Sequence, residues 1–136
     1  MGQQQLLLLI IGVVLVGLSI VAAFPVLQKG FRQDEADGLL DRSLAIATHA
    51  AQWKATMGPF NGGNLSYERL ASEGLDALAL RSTNIRGQFA ITDASYNTLE
   101  VTGVSTRYPE IGVRVFLTDY SVDSSVVRFD GSITIP

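Results

Sequence analysis

Residues Leu6–Phe24 form nineteen consecutive positions without a charge, and only Gly12, Gly17 and Ser19 interrupt Leu, Ile, Val, Ala and Phe. A helix rises 1.5 Å per residue, so a run of this length spans about 28 Å, close to the hydrocarbon thickness of a bilayer. This end of the chain is therefore built for lipid, or for a setting as dry. The first charge is Lys29, and every later segment is polar or mixed. The helical pattern does not end with the apolar run but continues to about Met57.

Three readings are open for this run. A cleaved secretory signal usually has a basic leader and an apolar core of about 7–15 residues. Met1-Gly2-Gln3-Gln4-Gln5 carries no Lys or Arg and the core here is longer, although Val21-Ala22-Ala23 has the small residues of a cleavage site. A single-pass anchor is the second reading. The third is an apolar assembly helix, held in the membrane first and packed against copies of itself afterwards. Charge gives little orientation signal, because Lys29 and Arg32 are followed at once by Asp34, Glu35 and Asp37.

With 136 residues, the chain leaves about 110 beyond the run, enough for one domain. The net charge of −3, with no basic stripe, gives no footprint for nucleic acid. The absence of cysteine excludes disulfides, thiolate metal sites, cysteine nucleophiles and haem attachment through thioethers. The single histidine, His49, sits among Ala47, Ala50 and Ala51 and reads as a helix-face residue without ligand partners. No phosphate-binding glycine loop, G-x-S-x-G or H-E-x-x-H occurs, so no enzyme and no cofactor is expected. Asp119, Asp123 and Asp130 lack the order of a calcium loop and read as solvated turn acids.

Pro25 follows the run and predicts a bend near Ala22–Phe24 rather than a stop, since membrane and bundle helices tolerate proline. Gly30 and Gly38 are further soft points. From Ala36 to Met57 two neighbouring apolar stripes recur at helical spacing. One is Leu40, Leu44, Ala47 and Ala51; the other is Leu39, Ile46, Ala50, Trp53 and Met57. Gly58-Pro59 ends the helix, and Phe60–Asn64 reads as a loop. Ser66 predicts the cap of a short helix from Tyr67 to about Leu80, with Gly74 weakening it. Asn64-Leu65-Ser66 matches a glycosylation acceptor tripeptide.

The rest alternates as strands do. Gln88–Thr92, Thr98–Val104, Val113–Thr118 and Ser125–Phe129 are the expected strands, with Ile133–Ile135 as an additional edge strand. Short links make an antiparallel meander, and the amphipathic half of the helix is its natural cover. The expected fold class is α+β. A long N-terminal helix of about 55 residues, roughly 80 Å, packs its second half on a four- to five-stranded sheet. The domain reading is an apolar helix over 1–30 and a globular domain over 31–136.

This layout resembles the type IV pilin and pseudopilin family. The resemblance rests on Leu6–Phe24, Pro25 and Ala36–Met57, followed by an antiparallel sheet. Two departures from the family stand out. Its glutamate near the mature N-terminus has no counterpart, because no acid precedes Asp34; with Met1 first, Gln5 stands near that place, and its neutral amide makes a weaker contact with an ammonium. The family's glycine rule would place processing after Gly2 and leave Gln3 first. The cysteine pair of many pilins is also absent.

The resemblance implies the major structural subunit of a pilus-like extracellular filament. Its partners would be copies of itself in a helical homopolymer, inner-membrane lipid before assembly, and a pilus assembly machinery. Gln5, Leu8, Ile11, Gly12, Leu15, Gly17, Ile20, Phe24 and Pro25 would form the filament core. Phe60–Asn64 and Tyr120–Ser124 would be exposed loops on its outside. The alternatives are a single-pass membrane-anchored domain and a minor pseudopilin of a secretion system.

Overall fold

The computed structural model describes residues 2–58 and 62–136. Helix α1 spans Gly2–Ala55 and contains Pro25 within it. A single turn of helix, α2, covers Leu70–Glu73, and a 3-10 turn follows at Gly74–Leu78. Strands β1 (Gly87–Ala94), β2 (Thr98–Ser105), β3 (Gly112–Thr118) and β4 (Ser121–Arg128) form one antiparallel sheet in the order β1-β2-β3-β4. The chain divides into two compact units, Met1–Gln33 and Asp34–Pro136.

The second unit follows from two periodicities. Along α1, Ala36, Leu39, Ser43, Ile46, Ala47, Ala50 and Trp53 are buried, alternating steps of about three and four that keep one helix face on the core. Along the strands, every second side chain points inward: Leu99 and Val101 of β2 and Val113, Val115 and Leu117 of β3 are buried. The register pairs Val101 with Val115 and Leu99 with Leu117, so these belong to one face. They share a single core with the helix stripe and Phe89.

Gly103 permits the close approach of helix and sheet. A Cβ there would lie 2.8 Å from the Phe89 ring and 3.1 Å from Ser43 Oγ. Phe89 pairs across from Gly103 and fills the space its missing side chain leaves. The opposite face carries a polar ladder. Thr92 Oγ1 donates to Glu100 Oε1 (2.8 Å) and contacts Thr102 Oγ1 (2.9 Å), and Glu100 pairs with Arg114 at 3.3 Å.

Several expectations are corrected by the structure. The helix ends at Ala55 and Met57 is exposed, because the chain turns back there: Gly63 and Leu65 donate backbone hydrogen bonds to Trp53 and Lys54. Of the two stripes read from the sequence, the one through Leu39, Ile46, Ala50 and Trp53 is fully buried. Leu40, Leu44 and Ala51 of the other lie at its margin, with Ala47 buried.

The helix expected from Tyr67 to Leu80 is two short pieces, broken at Gly74 where φ is +62°. Ser66 caps neither; its Oγ accepts from the Glu68 N–H, a local turn. Tyr120–Ser124 is largely strand, because Asp119 and Tyr120 alone turn the β3–β4 hairpin and β4 starts at Ser121. Ile133–Ile135 is not a strand; Ile133 is buried against Gly112 instead. Pro59 of the expected helix stop, and Phe60 and Asn61, two of the five residues of the expected Phe60–Asn64 loop, lie outside the described residues.

Candidate functional site

The apolar run is helical throughout, and its large side chains are open to the surroundings. Leu8, Ile11, Leu15, Ile20 and Phe24 are each about half or more exposed in the single chain. The most apolar stretch of α1 has a mean hydropathy of 3.1 and none of it is buried, so the helix is long and apolar enough to cross a membrane. Ser19, its one hydroxyl, donates to the Leu15 carbonyl at 2.8 Å and so needs no water.

Gly12 and Gly17 have no atom within 4 Å of where a Cβ would stand. At Gly12 this leaves a shallow apolar groove lined by Leu8, Leu9, Gly12, Val13 and Val16. Such a groove suits the ridge of another helix, because missing side chains let backbones come close. Gln5 and Pro25 lie on the same helix and are also exposed. All nine residues singled out for a filament core therefore sit on one element and are exposed among the described residues. The exposed apolar surface also reaches Val26, Leu27 and Phe31, past the residue 30 limit read from the sequence. Their hydrophobicity was the available signal, but it is diluted there by Gln28, Lys29 and Gly30.

A second concentration of chemistry lies at the C-terminal end of α1, where the sequence pointed to nothing. The Lys54 side chain is only 2% exposed. Its Nζ lies 3.2 Å from Asn97 Oδ1 and 3.3 Å from Asp119 Oδ1, and 4.7 Å from the ring centres of both Tyr67 and Tyr120. Asn97 comes from the β1–β2 turn and Asp119 from the β3–β4 turn, so one ammonium gathers two hairpin tips onto the helix end.

The turn residues are themselves fixed. The Asp119 N–H donates to the Asn97 carbonyl at 2.8 Å, and the Tyr67 hydroxyl donates to the Asp119 carbonyl. Burial, then the charges of Tyr120 and Asp119, push the Tyr67 phenol up to about 12. The hydrogen-bond partners of Lys54 are more than 40 residues away in sequence, which is why spacing could not reveal them.

At the other end of the domain Glu35 is nearly buried. It accepts from Ser105 Oγ at 2.9 Å and faces Arg86 at 3.9 Å. The acids read as solvated turn residues divide: Asp119 faces Lys54, whereas the Asp130 carboxylate is held below its usual range by hydrogen bonds from the Ser132 hydroxyl and N–H. Asn64, the glycosylation acceptor of the tripeptide, uses both amide atoms on Gly58, accepting from its N–H (3.0 Å) and donating to its carbonyl (3.2 Å). Among the described residues no group of His, Asp or Glu is placed to hold a metal ion.

Comparison with family models, with curated proteins and with solved structures finds no match to this chain.

Proposed function

We propose that this chain is the major structural subunit of a type IV pilus-like extracellular filament that polymerises through its apolar N-terminal helix. One observation carries the reading: Leu6–Phe24 is a continuous apolar helical surface, exposed among the described residues, on the same helix that packs against the sheet. In water that surface would cost about 25 cal/mol per Å² of apolar area. Lipid removes the cost before assembly, and neighbouring copies of the helix remove it afterwards. The groove at Gly12 supports close helix packing, and head-to-tail contacts that do not close on themselves give an open-ended polymer. The sheet domain would face outward.

The same helix, by length and hydropathy, suits a single-pass anchor for a monomeric domain or a minor pseudopilin. Paired cysteines separate the two readings, since the native chain has none to interfere. In a staggered polymer, a series of double variants such as Leu8→Cys with Ile20→Cys cross-links into ladders of many chains on oxidation. An anchored monomer gives none at any pairing, and an isologous dimer stops at two chains.

A further inference from the structure

We propose that Lys54, Asn97 and Asp119 form a self-processing site in which the lysine amine condenses with the asparagine side-chain amide to give an isopeptide cross-link. Such a reaction needs an amine, a carboxamide and a carboxyl group to move protons, and here Asn97 and the 66%-exposed Asp119 side chain reach a shielded amine from the surface. All three are present. Lys54 Nζ donates to Asn97 Oδ1 at 3.2 Å and to Asp119 Oδ1 at 3.3 Å, so the amine is held at the carbonyl group it would attack and at the carboxylate that would take its proton. The Tyr67 and Tyr120 rings, each 4.7 Å from Nζ, flank the amine, and its side chain is 2% exposed.

Asp119 is positioned rather than free. Its N–H is held by the Asn97 carbonyl and its carbonyl by the Tyr67 hydroxyl. Its φ of +58° is unusual for a residue with a side chain. A backbone of this kind persists where surrounding contacts over-determine it, and such positions gather at working sites. Here they aim one carboxylate at one amine.

The chemistry balances without any further reactant. The Asp119 carboxylate takes a proton from the Lys54 ammonium, and the freed Nζ lone pair attacks Asn97 Cγ. The C–N bond to Nζ forms, and the resulting tetrahedral centre carries both nitrogens. Asp119 returns the first proton to the leaving nitrogen, the bond from Cγ to Nδ2 breaks, and the second proton passes from Nζ through the freed Asp119 carboxylate to the departing ammonia, which leaves as ammonium. The products are a Lys54–Asn97 amide and one ammonium ion, so charge and atoms are conserved and no electron is exchanged.

The link would tie the end of α1 covalently to the β1–β2 turn, in a chain that has no cysteine to do so. It stands independently of the filament reading, because it concerns a single folded chain. The test is mass spectrometry of the full chain extracted in detergent and digested under denaturing conditions. The expected result is a branched peptide joining Lys54 to Asn97, with an intact mass lower by one ammonia. The branched peptide decides the matter, since cyclisation of an N-terminal Gln3 or succinimide formation at Asn61-Gly62 would lose the same mass.

Asn97→Ala and Asp119→Ala, both at exposed turn positions, abolish the branched peptide while Trp53 fluorescence still reports a folded domain. Recovery of unmodified Lys54 and Asn97 peptides from folded wild-type chain overturns the proposal and leaves an ion pair. A branched peptide formed undiminished in Asp119→Ala overturns the role given to Asp119.

Discussion

Two truncations on the same helix should behave oppositely. Ile46 is 0% exposed and faces the sheet, whereas Leu15 is 58% exposed. Replacing a buried Ile by Ala removes its transfer free energy and leaves a cavity, typically about 2–5 kcal/mol. At about 3 kcal/mol, and with roughly 4–8 °C per kcal/mol for a unit of about 100 residues, the midpoint falls by roughly 12–24 °C. That is a large part of the about 5–15 kcal/mol that holds a domain folded.

Leu15→Ala removes side-chain surface that the monomer never buries, so the domain midpoint stays within about 0.5 kcal/mol, or roughly 2–4 °C. Trp53 is the only tryptophan and is 8% exposed, so its emission reports the domain core directly. The assay is thermal unfolding of each full-length variant in detergent, followed at Trp53. Similar shifts for the two variants would refute the division into a packed half and an unpartnered half.

Three further outcomes follow from the same geometry. Gly103→Val forces a Cβ to 2.8 Å from Phe89 and should lower stability by about 1–3 kcal/mol in denaturant unfolding, whereas Gly12→Val, in open space, should leave it unchanged. Tyr67 is held above its ordinary 10.0, at about 12, so the folded state keeps the phenol proton more firmly than the unfolded state does; its contribution is complete below pH 10 and is lost as pH rises through about 12. The thermal midpoint should therefore fall across that window, and Tyr67→Phe should flatten the fall. Asn64→Ala loses both hydrogen bonds to Gly58 and places a less suitable residue at φ +51°, which should cost about 1–2 kcal/mol and speed protease cleavage near Gly58.

The long helix and the four-stranded meander were legible because each rests on a local period: apolar steps of three and four along Leu39, Ile46, Ala50 and Trp53, and alternation along Thr98–Val104 and Val113–Thr118. The segment after Ser66 reads as one helix because its leucines, Leu70, Leu75, Leu78 and Leu80, imitate a helix that Gly74 breaks. The start of β4 was hidden by Ser121, Asp123 and Ser124, which resemble a loop; mostly exposed, that strand needs no apolar alternation. Ile133 read as strand by its neighbours' β-branching, yet its burial comes from a close approach to Gly112 that no spacing announces. The apolar segment Leu6–Phe24 stood out from hydropathy alone. The Lys54 cluster did not, because it is made by tertiary contacts between a helix end and two hairpin tips.

What covers Leu6–Phe24 is tested most directly by electron microscopy of material sheared from the surface of the native cells. Uniform thin fibres with this chain as their main protein, and helices of neighbouring copies packed at their centre, are the predicted result. Finding the chain only in detergent-extracted membranes, as a monomer, would contradict the account and leave an anchored domain in its place.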